Sequence, residues 1–201
     1  METIKIYNDN LSESQAIEIA DRISNGELAI LPTDSVYAIV CDALNPKAIA
    51  ELCRIKGINP DKNNLSIICS DLSMAAEYST IDNNAYRLIK NYTPGPFTFL
   101  LKASRNLPKA FKGRKIVGIR IPDNIPVRMI AQSLGHPLLC TSIKFDDADY
   151  AREPDLIAES YSPFNIDFML DAGEGGDEFS TIVDCNDSQS PVVIREGKGK
   201  L

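Results

Sequence analysis

The sequence predicts an α/β protein: one large, twisted, mixed β-sheet with helices packed against it. Three observations lead there. Helix and strand signals alternate through most of the 201 residues, as they do when helices connect strands of a common sheet. The last three strand signals, Asp167–Leu170, Thr181–Asp184 and Val192–Ile194, follow one another with no helix between, so a strictly doubly wound sheet does not fit. The length suits one domain, 1–201, large enough to bury its own core.

Taken in order, Ser12-Glu13-Ser14-Gln15 forms a capping box, in which Ser12 accepts from the amide at N3 and Gln15 reaches back. Ile17, Ala20 and Ile23 make the apolar stripe of that helix, and Gly26 ends it. Leu28–Leu31 is a short buried strand. Asn45-Pro46 is an N-cap followed by proline at N1, opening a helix through about Cys53. Leu65–Cys69 is the second strand. Ser70-Asp71 and Ile81-Asp82 open two more helices, the latter ending near Tyr92 before the breaker Pro94-Gly95-Pro96. Phe97–Leu101 and Ile116–Ile121 are strands, Ile125–Leu134 is a helix, Leu138–Thr141 a strand, and a last helix lies near Pro154–Ser160. The polar stretches 57–64 and 144–153 are expected to be mobile loops.

Composition narrows the function. The five cysteines (Cys41, Cys53, Cys69, Cys140, Cys185) are odd in number and none is spaced as CxxC, against a disulfide framework or a zinc ribbon. Buried free thiols in a reducing compartment are expected instead. The N-terminus METIKIYNDN lacks the basic and apolar regions of a signal peptide, and no apolar run reaches the length of a membrane span. A cytoplasmic protein with no membrane partner follows. The net charge of −7 opposes nucleic-acid binding. Yet residues 102–120 carry Lys102, Arg105, Lys109, Lys112, Arg114, Lys115 and Arg120 without one acid, while 146–178 hold eleven acids and only Arg152. Such asymmetry can hold a positive site on a negative body.

The familiar catalytic signatures are absent: no Walker A sequence, no GxGxxG after the first strand, no GxSxG. The single histidine, His136, precedes Pro137 in a turn and suits a structural role; with it alone and no cysteine cluster, a transition-metal site is not expected. What remains is a set of hydroxyls and cations at element ends. Thr33 and Ser35 follow the first strand, where they can bind a polar ligand or bond their own backbone in a turn. Arg54 and Lys56 end a helix, where they serve either its C-terminus or an anion. Arg120 lies in an otherwise apolar strand and is costly to bury without a partner. Thr98, Thr141-Ser142, Ser180-Thr181 and Arg195 repeat the theme.

In their order and spacing, PTDSVYAI (32–39), CRIKG (53–57), PGPFTF (94–99), GIRIPD (118–123), TS (141–142), STIVD (180–184) and VVIREG (192–197) resemble the YrdC/YciO/Sua5 family across about residues 15–197. The YciO-like branch is nearest, through CRIK, the NNLSIIC strand and the following DLS. The resemblance implies a single YrdC-like domain with a concave, positively charged surface. It also implies L-threonylcarbamoyladenylate synthesis from L-threonine, bicarbonate and ATP, a nucleotidyl transfer serving tRNA threonylcarbamoyladenosine modification. ATP would enter as substrate, with Mg2+ but no tightly bound metal. By position, Lys56 and Ser142 would be the catalytic groups at the phosphates. Ser35, Arg120 and Ser180 would hold threonine, and Arg54, Thr98 and Arg195 the nucleotide. The family's alternative is a double-stranded RNA-binding, YciO-like protein without synthase activity. A monomer or weak homo-oligomer is expected, without the extra C-terminal domain of longer Sua5-type proteins. The chain departs from the synthase pattern in three places: KxR reads Lys56-Gly57-Ile58, SxN reads Ser142-Ile143-Lys144, and Ala38 follows Tyr37 where glycine is usual. Lys62 and Lys144 are the nearest replacements for the lost arginine.

Overall fold

A computed structural model describes residues 1–7, 10–59, 65–107 and 115–201. The strands are β1 (Glu2–Lys5), β2 (Ala29–Leu31), β3 (Ala38–Asp42), β4 (Ser66–Ile68), β5 (Ser79–Thr80), β6 (Phe97–Ala103), β7 (Ile116–Arg120), β8 (Leu138–Ser142), β9 (Phe168–Asp171), β10 (Thr181–Asp184) and β11 (Val192–Arg195). The helices are α1 (Glu13–Ser24), α2 (Pro46–Lys56), α3 (Leu72–Tyr78), α4 (Asn83–Tyr92), α5 (Ile125–Leu134), α6 (Asp149–Arg152) and α7 (Pro154–Tyr161).

Among the described residues all eleven strands join one sheet, ordered β1-β9-β2-β3-β8-β4-β7-β6-β10-β11 with β5 added to β6. Pairs β1/β9, β2/β9, β4/β7 and β6/β10 are parallel. Pairs β2/β3, β3/β8, β4/β8, β6/β7 and β10/β11 are antiparallel. The mixed sheet read from the sequence is therefore observed.

The helix starts follow their local chemistry. Gln15 N donates to Ser12 Oγ at 3.2 Å while Ser12 N donates to Gln15 Oε1 at 3.0 Å, closing the capping box. Asn45 Oδ1 accepts from Lys47 N and Ala48 N at 3.0 and 3.2 Å. Helix α2 runs past Cys53 to Lys56, one turn further than the sequence suggests, and stops at Gly57, whose φ of 63° is left-handed.

Three strands have no counterpart in the sequence reading: β1, β3 and the two-residue β5, which pairs with β6. Residues 38–42 lie entirely buried as β3, between β2 and β8. A strand covered on both faces shows a continuous apolar run rather than alternation, and AIVC merged with the preceding turn. Strand β1 is a short polar segment held by parallel pairing with β9, a partner more than 160 residues away. Of the expected loops, 144–153 contains the short α6, while residues 60–64 of the other lie outside the described residues.

The sheet separates two apolar layers. Ile39, Cys41 and Ile67 join residues of α2, α3, α4 and α7 on one face, whereas Ala38, Val40 and Ile68 join α1 and α5 on the other. The five cysteines are all buried. His136 Nε2 lies 2.7 Å from Asp42 Oδ1, tying the turn before β8 to the end of β3. Among the described residues, no helix is long and apolar enough to cross a membrane.

Candidate functional site

A cavity of about 430 Å³ opens where strands β4, β6, β7, β8, β10 and β11 bring their polar residues together. Lys56, Thr98, Arg120, Ser142, Ser180 and Arg195 all line it. Six residues spread over 140 positions of sequence are thus gathered by the sheet together with the end of α2.

Arg120 ends β7 and is only 3% exposed. Its Nη2 donates to Ser35 Oγ at 2.9 Å, to Asp34 Oδ1 at 3.1 Å and to Thr33 Oγ1 at 3.4 Å. The Asp34 carboxylate supplies the countercharge that burial of a guanidinium requires. The other carboxylate oxygen accepts from Asp123 N at 2.7 Å, so Asp34 is itself fixed. Thr33 and Ser35 also satisfy the turn: Ser35 N donates to Thr33 Oγ1 at 3.1 Å, and Thr33 Oγ1 donates to Val36 O at 2.7 Å. The turn and the ligand readings of these hydroxyls are therefore compatible. Ser35 reaches the cavity through Arg120. Gly176 N donates to Ser35 O at 3.1 Å, and a Cβ at 176 would lie 2.3 Å from that oxygen, so only glycine permits this approach. The Nε of Arg120 is buried and has no hydrogen-bond partner among the described residues.

On the opposite wall, parallel pairing of β6 with β10 sets Thr98 against Ile182 and brings Thr98 Oγ1 to 2.9 Å from Ser180 Oγ. Arg195 on β11 donates to Ser180 O through Nε at 3.2 Å and Nη2 at 2.7 Å, and Nη2 also donates to Ser180 Oγ at 3.2 Å. Its guanidinium covers the Phe179 ring at 5.4 Å, and Phe179 stacks on Phe145 at 5.3 Å. Burial and then the positive charge of Arg120 push the Arg195 pKa below its usual value.

The third wall joins α2 to the segment after β8. Lys56, 7% exposed, donates through Nζ to Ser142 O. Lys144 Nζ donates to Lys56 O at 2.9 Å, and Lys144 N donates to Tyr161 Oη at 2.7 Å. Burial, and secondarily the charge of Lys144, lower the Lys56 pKa to about 8. Among the described lining residues, four cationic side chains (Lys56, Arg120, Lys144, Arg195) face one carboxylate, Asp146. That balance, with hydroxyls from Thr98, Ser142 and Ser180, suits a polyanion. Among the described residues, no three His, Cys, Asp or Glu side chains are grouped to hold a metal.

Arg54 is not brought to this cavity. It donates to Glu51 through Nε at 2.8 Å and Nη2 at 2.7 Å, with its side chain largely in solvent. Two residues along a helix turn by about 200°, so Arg54 and Lys56 point to different sides of α2. Lys62, Lys109, Lys112 and Arg114 lie outside the described residues. Sequence reasoning missed three contributors: Asp34, Phe145 and Phe179. Only Asp34 carried a signal, because a buried arginine demands a carboxylate and this one stands between the two hydroxyl residues already singled out.

The Sua5/YciO/YrdC family model, whose description reads Telomere recombination, matches residues 21–197. The chain belongs to this family. It is 35% identical over 202 residues to YciO of Escherichia coli (strain K12), described there as uncharacterized, covering 98% of this chain and 95% of YciO. The crystal structure of that YciO superimposes with a TM-score of 0.89 at 32% identity, covering 100% of this chain and 98% of the other. A Methanocaldococcus jannaschii protein provisionally named a threonylcarbamoyl-AMP synthase is 30% identical over 197 residues, covering 96% of this chain and 92% of that one. The crystal structure of P. abyssi Sua5 complexed with L-threonine matches with a TM-score of 0.84 at 26% identity. That match covers 98% of this chain but 58% of Sua5.

Proposed function

We propose that this Sua5/YciO/YrdC-family protein binds ATP in the cationic cavity and forms L-threonylcarbamoyladenylate from L-threonine, bicarbonate and ATP. The observation that carries the reading is Arg120. It is buried and held from one side by Asp34 and Ser35, and it lines a cavity with Lys56, Lys144 and Arg195 against the single lining carboxylate of Asp146 among the described residues. An anion in that cavity would balance its excess of positive charge. A Sua5 relative crystallised with L-threonine and an M. jannaschii relative provisionally named a threonylcarbamoyl-AMP synthase support the substrate choice.

In this reading Arg120, with Ser35 and Ser180, holds the threonine carboxylate. Lys56, Ser142 and Lys144 lie against the phosphates, with Lys144 standing in for the missing arginine of the KxR pattern. Thr98 and Arg195 hold the nucleotide. The threonine amine takes up bicarbonate carbon with loss of water, giving a carbamate. A carbamate oxygen then attacks the α-phosphorus, and the bond to diphosphate breaks. The protein's part is positioning and charge stabilisation, with no covalent intermediate. Magnesium would arrive on the triphosphate, and Asp146 is the lining carboxylate able to approach it.

The purified protein, incubated with ATP, magnesium, L-threonine and labelled bicarbonate, should release diphosphate only when all are present and place the label in an adenylate. Diphosphate release independent of threonine, or none at high protein concentration, overturns the synthase assignment.

A further inference from the structure

Among the described residues Lys56 and Arg120 are the buried cations, and they are satisfied differently. Arg120 has a carboxylate, Asp34 Oδ1, at 3.1 Å. Lys56 forms no ion pair among the described residues, and its Nζ donates only to a backbone carbonyl, Ser142 O. A like charge adjoins it instead: Lys144 Nζ donates to Lys56 O at 2.9 Å. Lys56 lines the first cavity and also a second, of about 480 Å³, so open space meets it on two sides. A buried ammonium with a cation beside it and no countercharge is driven toward the neutral amine. Its pKa is lowered to about 8 accordingly, by burial first and Lys144 second.

A neutral lysine amine is a nucleophile, and the charge around it selects the electrophile. An imine formed with an aldehyde is neutral or cationic and gains nothing from Lys144 and Arg195. A carbamate formed with carbon dioxide is an anion, and cations that line the same cavity stabilise it. Lys144 Nζ spends one of its donors on Lys56 O and keeps others for such an anion. We propose that Lys56 is a carbamylation site, its Nζ adding to carbon dioxide and the product being held by Lys144. The Nζ lone pair forms the N–C bond, one C=O π pair moves onto oxygen, and an N–H proton passes to solvent. The side chain thereby changes from cation to anion. Carbamate and phosphate contact are alternatives at one nitrogen, so carbon dioxide weakens polyanion binding in the cavity. The inference rests on the cations of the cavity and not on the adenylate chemistry, and either can fail alone.

Wild-type protein equilibrated near the Lys56 pKa with isotopically labelled bicarbonate and carbon dioxide should show a carbamate resonance by carbon NMR. Trapping the carbamate by alkylation with trimethyloxonium, followed by peptide mass spectrometry, should place label on Lys56 well above the exposed Lys47. The peptide map also separates any carbamate on the Met1 amine. Excess inorganic tripolyphosphate should lower the label on Lys56 and leave that on Lys47 unchanged. Lys144→Met, at an exposed position, should lower the Lys56 label severalfold in protein whose circular dichroism matches wild type. It removes both the like charge that favours the amine and the cation that holds the product. Label on Lys56 no greater than on Lys47 in the wild type overturns the inference without recourse to any variant. A Lys56 label undiminished in Lys144→Met, or undiminished by tripolyphosphate, overturns it as well.

Discussion

Arg120 Nη2 donates to Ser35 Oγ at 2.9 Å across eighty-five residues of sequence, and the same nitrogen meets Asp34 Oδ1 at 3.1 Å. One guanidinium thus locks the loop after β2 to the end of β7, beside Nε, which lacks a partner among the described residues. Asp34 and Arg120 are both buried, so removing either member strands the other. Asp34→Ala should lower stability by about 3–5 kcal/mol, seen as an earlier urea midpoint. Asp34→Asn combined with Arg120→Met should cost far less than Asp34→Ala. A double variant as unstable as the single one would show that the charge pair is not what holds this loop.

Lys56 predicts a pH dependence of anion binding. Its pKa is lowered to about 8 because burial and Lys144 disfavour the ammonium. The charged form is present below that value and is lost as pH rises through it. Tripolyphosphate affinity should therefore fall between about pH 7 and pH 9 relative to Lys56→Arg, which meets the same ligand ionisations. In Lys56→Arg the guanidinium stays charged, so the fall should disappear. A wild-type profile flat across this window counts against Lys56 as an anion ligand.

Lys144→Asn restores the asparagine of the synthase SxN pattern and removes a positive charge beside Lys56. Two opposite effects should appear together. Tripolyphosphate should bind more weakly at pH 7, because a cation facing the cavity is gone. The pH midpoint of binding should rise above about 8, because a like charge no longer disfavours the Lys56 ammonium. NMR titration of the lysine side chains follows the midpoint directly, and a midpoint that falls or stays put excludes the coupling.

Arg54→Ala offers the contrast. Its ion pair with Glu51 lies at the surface, with the arginine side chain 64% exposed, and such pairs contribute about 0–1 kcal/mol. Stability and tripolyphosphate affinity should both stay near wild type in thermal denaturation and calorimetry. A tenfold loss of affinity would mean that Arg54 leaves Glu51 and swings to the phosphates on binding.

Ser180 is buried between Thr98 and Arg195. Ser180→Ala leaves the Thr98 hydroxyl without this partner, a cost of about 1–3 kcal/mol. Adding Thr98→Val should recover part of the loss, because groups in one hydrogen-bond pair do not contribute additively. Urea denaturation of the four proteins gives the coupling, and strict additivity would place the two hydroxyls in separate networks.

Features that depend on neighbours a few residues apart can be read along the chain directly. Ser12 with Gln15 starts α1, Asn45 with Pro46 starts α2, and Pro94-Gly95-Pro96 separates α4 from β6. Hydroxyl and cationic residues at element ends marked Lys56, Thr98, Arg120, Ser142, Ser180 and Arg195, and all six line one cavity. Local spacing also held a fact left unused, that Arg54 and Lys56 cannot share a helix face. Tertiary structure alone decided the rest. The burial of β3 on both faces erased the alternation that would have announced it. The partner of Arg120, the contact between Lys144 and Lys56, and the stack of Phe145 on Phe179 join residues 34 to 88 positions apart. Pairings at that range are set by strand order and register in the completed sheet, and no local propensity encodes them.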